Sequence, residues 1–360
     1  MKAGAPDFLW LLILSLVTYT VKAQAPKFSN DFLNIGVGAR SMGMAGAVSS
    51  NVTSVQAAYW NPACLPYNPS RFQVSAQHAE WFSGIGSYDY IAFGKRFDEE
   101  QRSFGSVSLI RMAIDKIPNT LRLLGPDGSI DYSRIEEFSV SDYALLVSYA
   151  RKLNDDRFSL GASAKIIHRS FGTFANAWGF GLDAAFRFRS GPLSIGLMGK
   201  DITTTYNAYR FSFSEEEKAI LQQTNNSLPV SSVEYVLPRL LAGFSYWFSL
   251  SEKLRLLASA DVEFSNQGTA TSLWGSRSFN ADPRFGVEIV FVQKVFFRLG
   301  AGNFQRILVN GVSEERELSF YPTAGMGLKL GKLTLDYALT NIGNVGIGLY
   351  SHFISLNLDL

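Results

Sequence analysis

Lys253 to Phe264 (KLRLLASADVEF) places Leu254, Leu256, Ala258, Ala260, Val262 and Phe264 on one parity and Lys253, Arg255, Leu257, Ser259, Asp261 and Glu263 on the other. Only Leu257 breaks the division between apolar and polar. Lys332 to Thr340 repeats it, with Leu333, Leu335, Tyr337 and Leu339 against Lys332, Thr334, Asp336, Ala338 and Thr340. Phe158 to Arg169 sets Phe158, Leu160, Ala162, Ala164 and Ile166 against Ser159, Gly161, Ser163, Lys165 and Arg169. A period of two means a strand with one face in an apolar medium and the other in a polar one. A soluble β-sandwich gives the same pattern, so the period alone leaves two folds open.

The spacing of the segments separates them. Fourteen strands are predicted at about 71–81, 88–97, 103–113, 140–152, 158–170, 177–189, 193–202, 235–248, 254–264, 284–291, 295–303, 319–330, 333–341 and 350–360. The connections alternate between long ones (82–87, 114–139, 171–176, 203–234, 265–283, 304–318, 342–349) and tight turns. Long loops at one end and tight turns at the other are the plan of an outer-membrane barrel, whose strands need about 9–11 residues. The even strand number returns both ends of the barrel to the short-turn side. Only 18% of the residues are charged, against about 25% in ordinary soluble domains, and 14% are aromatic. Tyr88, Tyr90, Tyr143, Tyr149, Trp178, Tyr246, Trp247 and Tyr350 cluster near strand ends, as an aromatic girdle does. The last residues alternate Ile354, Leu356, Leu358 and Leu360 with Ser355, Asn357 and Asp359, as a terminal barrel strand should.

Export is consistent with this. The apolar stretch Phe8 to Val21 is shorter than the roughly 20 residues of a membrane helix. Val21-Lys22-Ala23 offers a signal-peptidase site, so residues 1–23 are predicted to be a signal peptide cleaved before Gln24. No later window approaches 18 uninterrupted apolar residues, which leaves a closed barrel as the way to cross a bilayer. The expected location is the bacterial outer membrane, and the lipid bilayer is the first partner. A net charge of +2 without a basic run argues against nucleic acid. One cysteine, Cys64, excludes a disulfide framework.

Residues 24–69 lack the period of two and are rich in small residues (Gly36, Gly38, Ala39, Gly43, Ala45, Gly46, Ala47). Thr53 to Gln56 fits a capping box, and Asn61-Pro62 stops a short helix near Tyr59. Phe28, Phe32, Leu33, Ile35, Tyr59 and Trp60 need burial, and a fourteen-strand lumen has room for such a segment. The prediction is a plug, or hatch, at 24–69 inside a barrel at 70–360.

Phe32-Leu33-Asn34-Ile35-Gly36-Val37-Gly38-Ala39-Arg40, then Gly43-Met44-Ala45-Gly46-Ala47, then Tyr59-Trp60-Asn61-Pro62-Ala63, resemble the opening signature of the PorV/PorQ family. That family belongs to the FadL-like fourteen-stranded barrels. Echoes in Asp142 to Leu153, Phe285 to Glu288 and Leu335 to Tyr337 extend the resemblance across the chain. It implies a hatch motif on Gly36, Gly38, Arg40, Gly43, Gly46, Tyr59, Trp60, Asn61, Pro62 and Ala63. Cys64-Leu65 stands where the family usually has Gly-Leu. It also implies two functional classes. The first is a non-enzymatic accessory of protein secretion, type IX-like, that docks secreted cargo or another outer-membrane machine. The second is a FadL-like conduit for hydrophobic small molecules.

The longest predicted loop, 203–234, carries a capping box, Ser214 with Glu217, and an apolar patch at Ala219, Ile220 and Leu221. Glu217, Ile220 and Leu221 are therefore candidate partner-loop residues, and protein handling is the first expectation. No catalytic, cofactor or metal site is predicted. His78, His168 and His352 fall on the lipid-facing parity, and no Ser/His/acid spacing accompanies them. Arg111, Asp142, Lys165, Asp183, Arg187, Asp261, Glu288, Arg298, Lys329 and Asp336 are predicted to point inward, both signs together, as a salt-bridged lumen that clamps the plug.

Overall fold

A computed structural model describes residues 30–123, 129–223, 232–266, 274–276, 279–308, 316–341 and 350–360. The predicted signal peptide and residues 24–29 of the predicted hatch, Phe28 among them, lie outside these. The strands are β1 (Phe72–Trp81), β2 (Gly86–Arg96), β3 (Ser103–Asn119), β4 (Glu136–Lys152), β5 (Phe158–Phe171), β6 (Ala175–Ser190), β7 (Leu193–Lys200), β8 (Thr205–Phe211) and β9 (Val233–Val236). They continue with β10 (Arg239–Ser249), β11 (Leu254–Ser265), β12 (Trp274–Ser276), β13 (Phe279–Phe291), β14 (Val295–Leu308), β15 (Arg316–Leu330), β16 (Leu333–Thr340) and β17 (Ser351–Asp359).

Neighbours pair antiparallel all the way round. β17 returns to β1 in the register Gln73 opposite Asp359 to Glu80 opposite His352, which closes the sheet. β8, β9 and β12 are additions at the long-loop end: β8 pairs with the outer half of β6, β9 with β8, and β12 with β13. The remaining fourteen strands make a closed antiparallel barrel without an edge. Along β11 the outward residues are Leu256, Ala258, Ala260 and Val262, while Leu257, Ser259, Asp261 and Glu263 are buried inside the ring. Val107, Leu109, Phe180, Phe244, Ile289 and Leu356 are exposed on the outer wall, where a lipid phase would cover them. No helix among the described residues is long and apolar enough to cross a membrane.

All fourteen predicted strands are present, but several run further outward than the alternation showed. β3 passes a bulge between Ile114 and Ile117, where Lys116 has φ +57°, and then pairs again with β4. A second bulge lies between Gly302 and Gln305, where Asn303 has φ +51°. Residues 201–204 interrupt the strand that β7 begins and β8 resumes, with Asp201 and Thr204 at positive φ, and Leu237-Pro238 interrupts its partner between β9 and β10. Each break shifts the parity, so the stretch beyond it reads as loop. The expected loop 203–234 therefore contains strand at both ends, and loop 114–139 shortens to 120–135. The outer connections 82–85 and 172–174 are tight turns.

The facing of four residues is corrected. Arg111 shares the outward parity of exposed Val107 and Leu109, and it pairs with Asp89 (3.1 Å), which also meets His78 (2.7 Å). Tyr88 and Tyr90 are not girdle residues: they point inward and are fully buried. The inner face of β2 carries these tyrosines because it meets packed protein rather than water. Trp247 likewise lines the lumen.

Candidate functional site

The core of the molecule is inside the ring. Phe32, Val37, Met44, Val48, Val55, Tyr59, Trp60, Cys64 and Leu65 pack against inward Tyr88, Tyr90, Phe104, Ile110, Ile167, Leu257 and Phe353. Residues 30–69 form short pieces: 3-10 turns at Asp31–Asn34 and Pro62–Tyr67 and one-turn helices at Ala39–Met42 and Ala57–Trp60. Gly38 has φ +84°, and a Cβ there would collide with the Gln56 side chain, so the turn needs glycine. Asn61 is extended (φ −168°), accepts from the Ala63 amide at 3.0 Å and leads into Pro62 at the first helical position. The expected capping box at Thr53 to Gln56 is not made. The Gln56 amide instead donates to Ser75 Oγ (2.9 Å) on the wall, and the helix begins one residue later.

An irregular segment inside a barrel has backbone groups that water cannot reach, so they must be paired. Inward polar side chains on β1, β5, β11, β15 and β17 do this. Gln77 accepts from the Gly38 amide, Ser355 from Ala39 (3.1 Å), Thr323 from Ala45 (3.1 Å), Asp261 from Ser49 (2.9 Å) and Gln73 from Val55 (2.6 Å). Ser159 donates to the Ala63 carbonyl (2.7 Å). Where backbone approaches backbone, the wall carries glycine: a Cβ on Gly161 would lie 2.4 Å from Ala63 N, and one on Gly300 2.4 Å from the Met44 carbonyl carbon. Arg40 reaches out as a fork, Nε to Glu288 Oε2 and Nη2 to Oε1, both 2.9 Å. Arg298 holds the same Glu288 (2.6 Å) and also Asp336 (2.7 Å).

Of the expected hatch residues, Tyr59 and Trp60 are buried and tie the segment to itself. Tyr59 donates to the Leu33 carbonyl (2.5 Å) and Trp60 Nε1 to that of Val37 (2.7 Å). Burial raises the Tyr59 phenol well above its ordinary pKa, against the opposing field of Arg239. Burial also pushes the Cys64 thiol up to about 11, with Arg187 acting the other way. Cys64 is fully buried and donates weakly to the Ser49 carbonyl (3.4 Å), so it is a packed thiol without nucleophilic character at neutral pH.

Above this segment lies a cavity of about 310 Å³. Ile35, Met42 and Trp60 form its floor, and Trp81, Phe82 and Tyr321 stand on the walls. Asp282 and Arg284 supply a polar edge and pair with each other (3.2 Å). Alongside is a continuous ion-pair layer: Arg284 to Glu263 (3.1 Å), Glu263 to Arg239 (2.7 Å), Arg239 to Asp201 (3.3 Å), Asp201 to Lys165 (2.5 Å) and Lys165 to Asp183 (2.8 Å). Both signs alternate through it, which suits a structural network better than a filter for one charge. Lys165 and Asp183 were expected inward; Arg239, Glu263 and Arg284 were not singled out, because Arg239 and Glu263 lie near strand ends and Arg284 stands where the strand was expected to begin, although β13 starts at Phe279.

The candidate partner loop forms the helix Glu215–Gln223. Its capping box is reciprocal, Ser214 N to Glu217 Oε2 (2.8 Å) and Glu217 N to Ser214 Oγ (3.2 Å). Ile220 and Leu221 are half-buried, and Glu216 pairs with Arg122 after β3 (3.0 Å). The three histidines stand apart on the wall: His78 on Asp89, His168 against Trp178 (centroids 4.4 Å apart) and His352 on the Tyr337 hydroxyl (2.8 Å).

No protein-family model matches the chain, and no curated protein matches it. Among solved structures the fold recurs. A toluene transporter of Ralstonia pickettii, TbuX, aligns over 90% of this chain and 98% of its own at 14% identity, with a TM-score of 0.53. The Pseudomonas putida toluene transporter TodX covers 92% and 98% at 11% identity (TM-score 0.54). A FadL homologue of Pseudomonas aeruginosa covers 93% and 100% at 12% (TM-score 0.52). The chain thus has the FadL-like fold of these bacterial outer-membrane barrels.

Proposed function

We propose that the barrel is a conduit that takes up hydrophobic small molecules across the outer membrane, with residues 24–69 as the hatch. The observation that carries this reading is the aromatic cavity whose floor belongs to that segment. An engineered apolar cavity of about 150 Å³ binds benzene, so about 310 Å³ accommodates a substituted monoaromatic hydrocarbon. Burial of such a solute is favourable at roughly 25 cal/mol per Å². Release downward requires the floor to move. Its polar ties to the wall are hydrogen bonds worth about 1 kcal/mol net apiece, which entering water can replace, together with the Arg40–Glu288 fork and the apolar packing described above. The toluene transporters of the same fold support the choice of substrate class.

Docking of secreted cargo or another outer-membrane machine, a type IX-like role, becomes the second reading. Helix 215–223 is engaged within the chain by Arg122 and its own cap, which weakens the case for Glu217, Ile220 and Leu221 as a free docking face. The test is titration of the purified protein with toluene, following tryptophan fluorescence from Trp60 and Trp81. Gly302→Trp, whose new side chain would enter the cavity, should abolish saturable quenching while the barrel stays heat-modifiable. Equal binding by this variant would refute the assigned cavity.

A further inference from the structure

A second cavity, about 360 Å³, lies below the hatch at the short-turn end, which faces the periplasm in outer-membrane barrels. Three carboxylates line it and all are engaged. Glu288 is held by Arg40 and Arg298, Asp336 by Arg298, and Asp359 by Lys329 (3.6 Å), Ser70 and Gln73 (both 2.7 Å). Arg187, Arg189 and Arg255 line the same cavity, and none of them has a carboxylate partner among the described residues.

Arg187 is the telling member. It is 2% exposed, and its Nε and Nη1 have no hydrogen-bond partner; Nη2 reaches only Ser194 Oγ at 3.4 Å. A buried guanidinium without a counter-ion is costly, and such groups are ordinarily paired. Its carbon sits 4.1 Å from the centroid of the Tyr67 ring, with Arg189 at 5.8 Å and Lys152 Nζ at 4.9 Å from the same ring. Arg255 lies 4.4 Å from the Trp247 ring. The aromatic faces orient the guanidinium planes and leave their N–H edges for an acceptor.

We infer that Arg187, Arg189 and Arg255 form a phosphate-ester site at the periplasmic mouth. Arg187 is the buried, uncompensated charge, and Arg189 and Arg255 stand exposed at the mouth of the same cavity with their guanidinium groups free to close on a ligand that enters it. A phosphate ester that carries about −1.5 to −2 with three acceptor oxygens suits three guanidinium groups better than a carboxylate does. The cavity is larger than a bare phosphate, and Trp247 and Phe296 on its wall leave room for the organic part. Two sources share this chemistry: a soluble phosphorylated small molecule and the headgroup of a periplasmic-leaflet lipid. The inference is independent of the conduit reading, since it concerns residues on the opposite side of the hatch.

Isothermal titration of the full-length protein in uncharged detergent at low salt tests it, with glycerol 3-phosphate and dihexanoyl phosphatidate as probes. Saturable binding is expected, weakened tenfold or more in Arg189→Gln and in Arg255→Gln and unchanged in Lys332→Gln on an exposed turn. Tighter binding of glycerol 3-phosphate assigns the soluble source, and tighter binding of phosphatidate the lipid. Heat-modifiable migration of each variant verifies that the barrel is folded. If neither probe binds saturably, or if folded Arg189→Gln and Arg255→Gln bind as the unsubstituted protein does, the inference is overturned.

Discussion

Replacing Arg40 by Gln measures how firmly the hatch is held. The change removes two charge-assisted hydrogen bonds to Glu288, both 2.9 Å, and one to Asn51 Oδ1 at 3.1 Å. Glu288 keeps Arg298 at 2.6 Å, so it is not left as a bare buried charge, and the full penalty of about 3–5 kcal/mol for that does not apply. The Asn51 bond lies within the segment itself, so what docking to the wall loses is the two bonds to Glu288 at about 1.5 kcal/mol each, the low end of the range because Arg40 is partly exposed. Their sum, about 3 kcal/mol, corresponds to roughly a hundredfold shift toward the undocked hatch. Hydrogen exchange at the amides of residues 41–55 should accelerate by about that factor, and single-channel recordings in planar bilayers should show openings absent from the parent. Because the wall is untouched, heat modifiability should persist. Unchanged exchange and conductance in a folded Arg40→Gln barrel would refute the assignment of this fork as a latch.

Two other perturbations address the wall. Leu256→Arg or Leu335→Arg should cost about 2–4 kcal/mol in urea titrations in liposomes, because both side chains face hydrocarbon. Thr334→Arg, which points into the lower cavity, should cost less, and the reverse order would invert the inside/outside assignment. Gly161→Val places a Cβ within 2.4 Å of Ala63 N and should destabilise hatch docking by about 1–3 kcal/mol, seen as faster exchange around Ala63. Slower or equal exchange would mean that the two backbones are not in contact.

Much of the barrel is legible in the sequence because a wall between lipid and a polar lumen writes its period directly into the residues. β5, β11 and β16 read correctly in every outward position. Legibility fails where the backbone inserts a residue. Lys116, Asn303 and the 201–204 break each reset the parity, and the strand beyond them was read as loop. It also fails where the lumen is not water. Tyr88 and Tyr90 looked like girdle residues because their packing partners are distant in sequence. Gln73, Ser75 and Gln77 alternate with Val74, Ala76 and His78 and are visible as a polar face, but only the fold shows that Gln73 and Gln77 pair backbone amides of the inner segment and Ser75 its Gln56 side chain. The upper cavity has no local signature, since Trp60, Trp81, Arg284 and Tyr321 come from separate elements.

The central claim is that solute passes only when the hatch leaves the wall. Ser50 on the hatch and Ser245 on β10 have their hydroxyl oxygens 2.9 Å apart, both buried, which suits replacement of both by cysteine to form a bridge. In a Cys64→Ala background, Ser50→Cys with Ser245→Cys should block uptake of radiolabelled toluene into proteoliposomes when oxidised and restore it on reduction. Uptake that continues unchanged with the bridge closed would contradict the account.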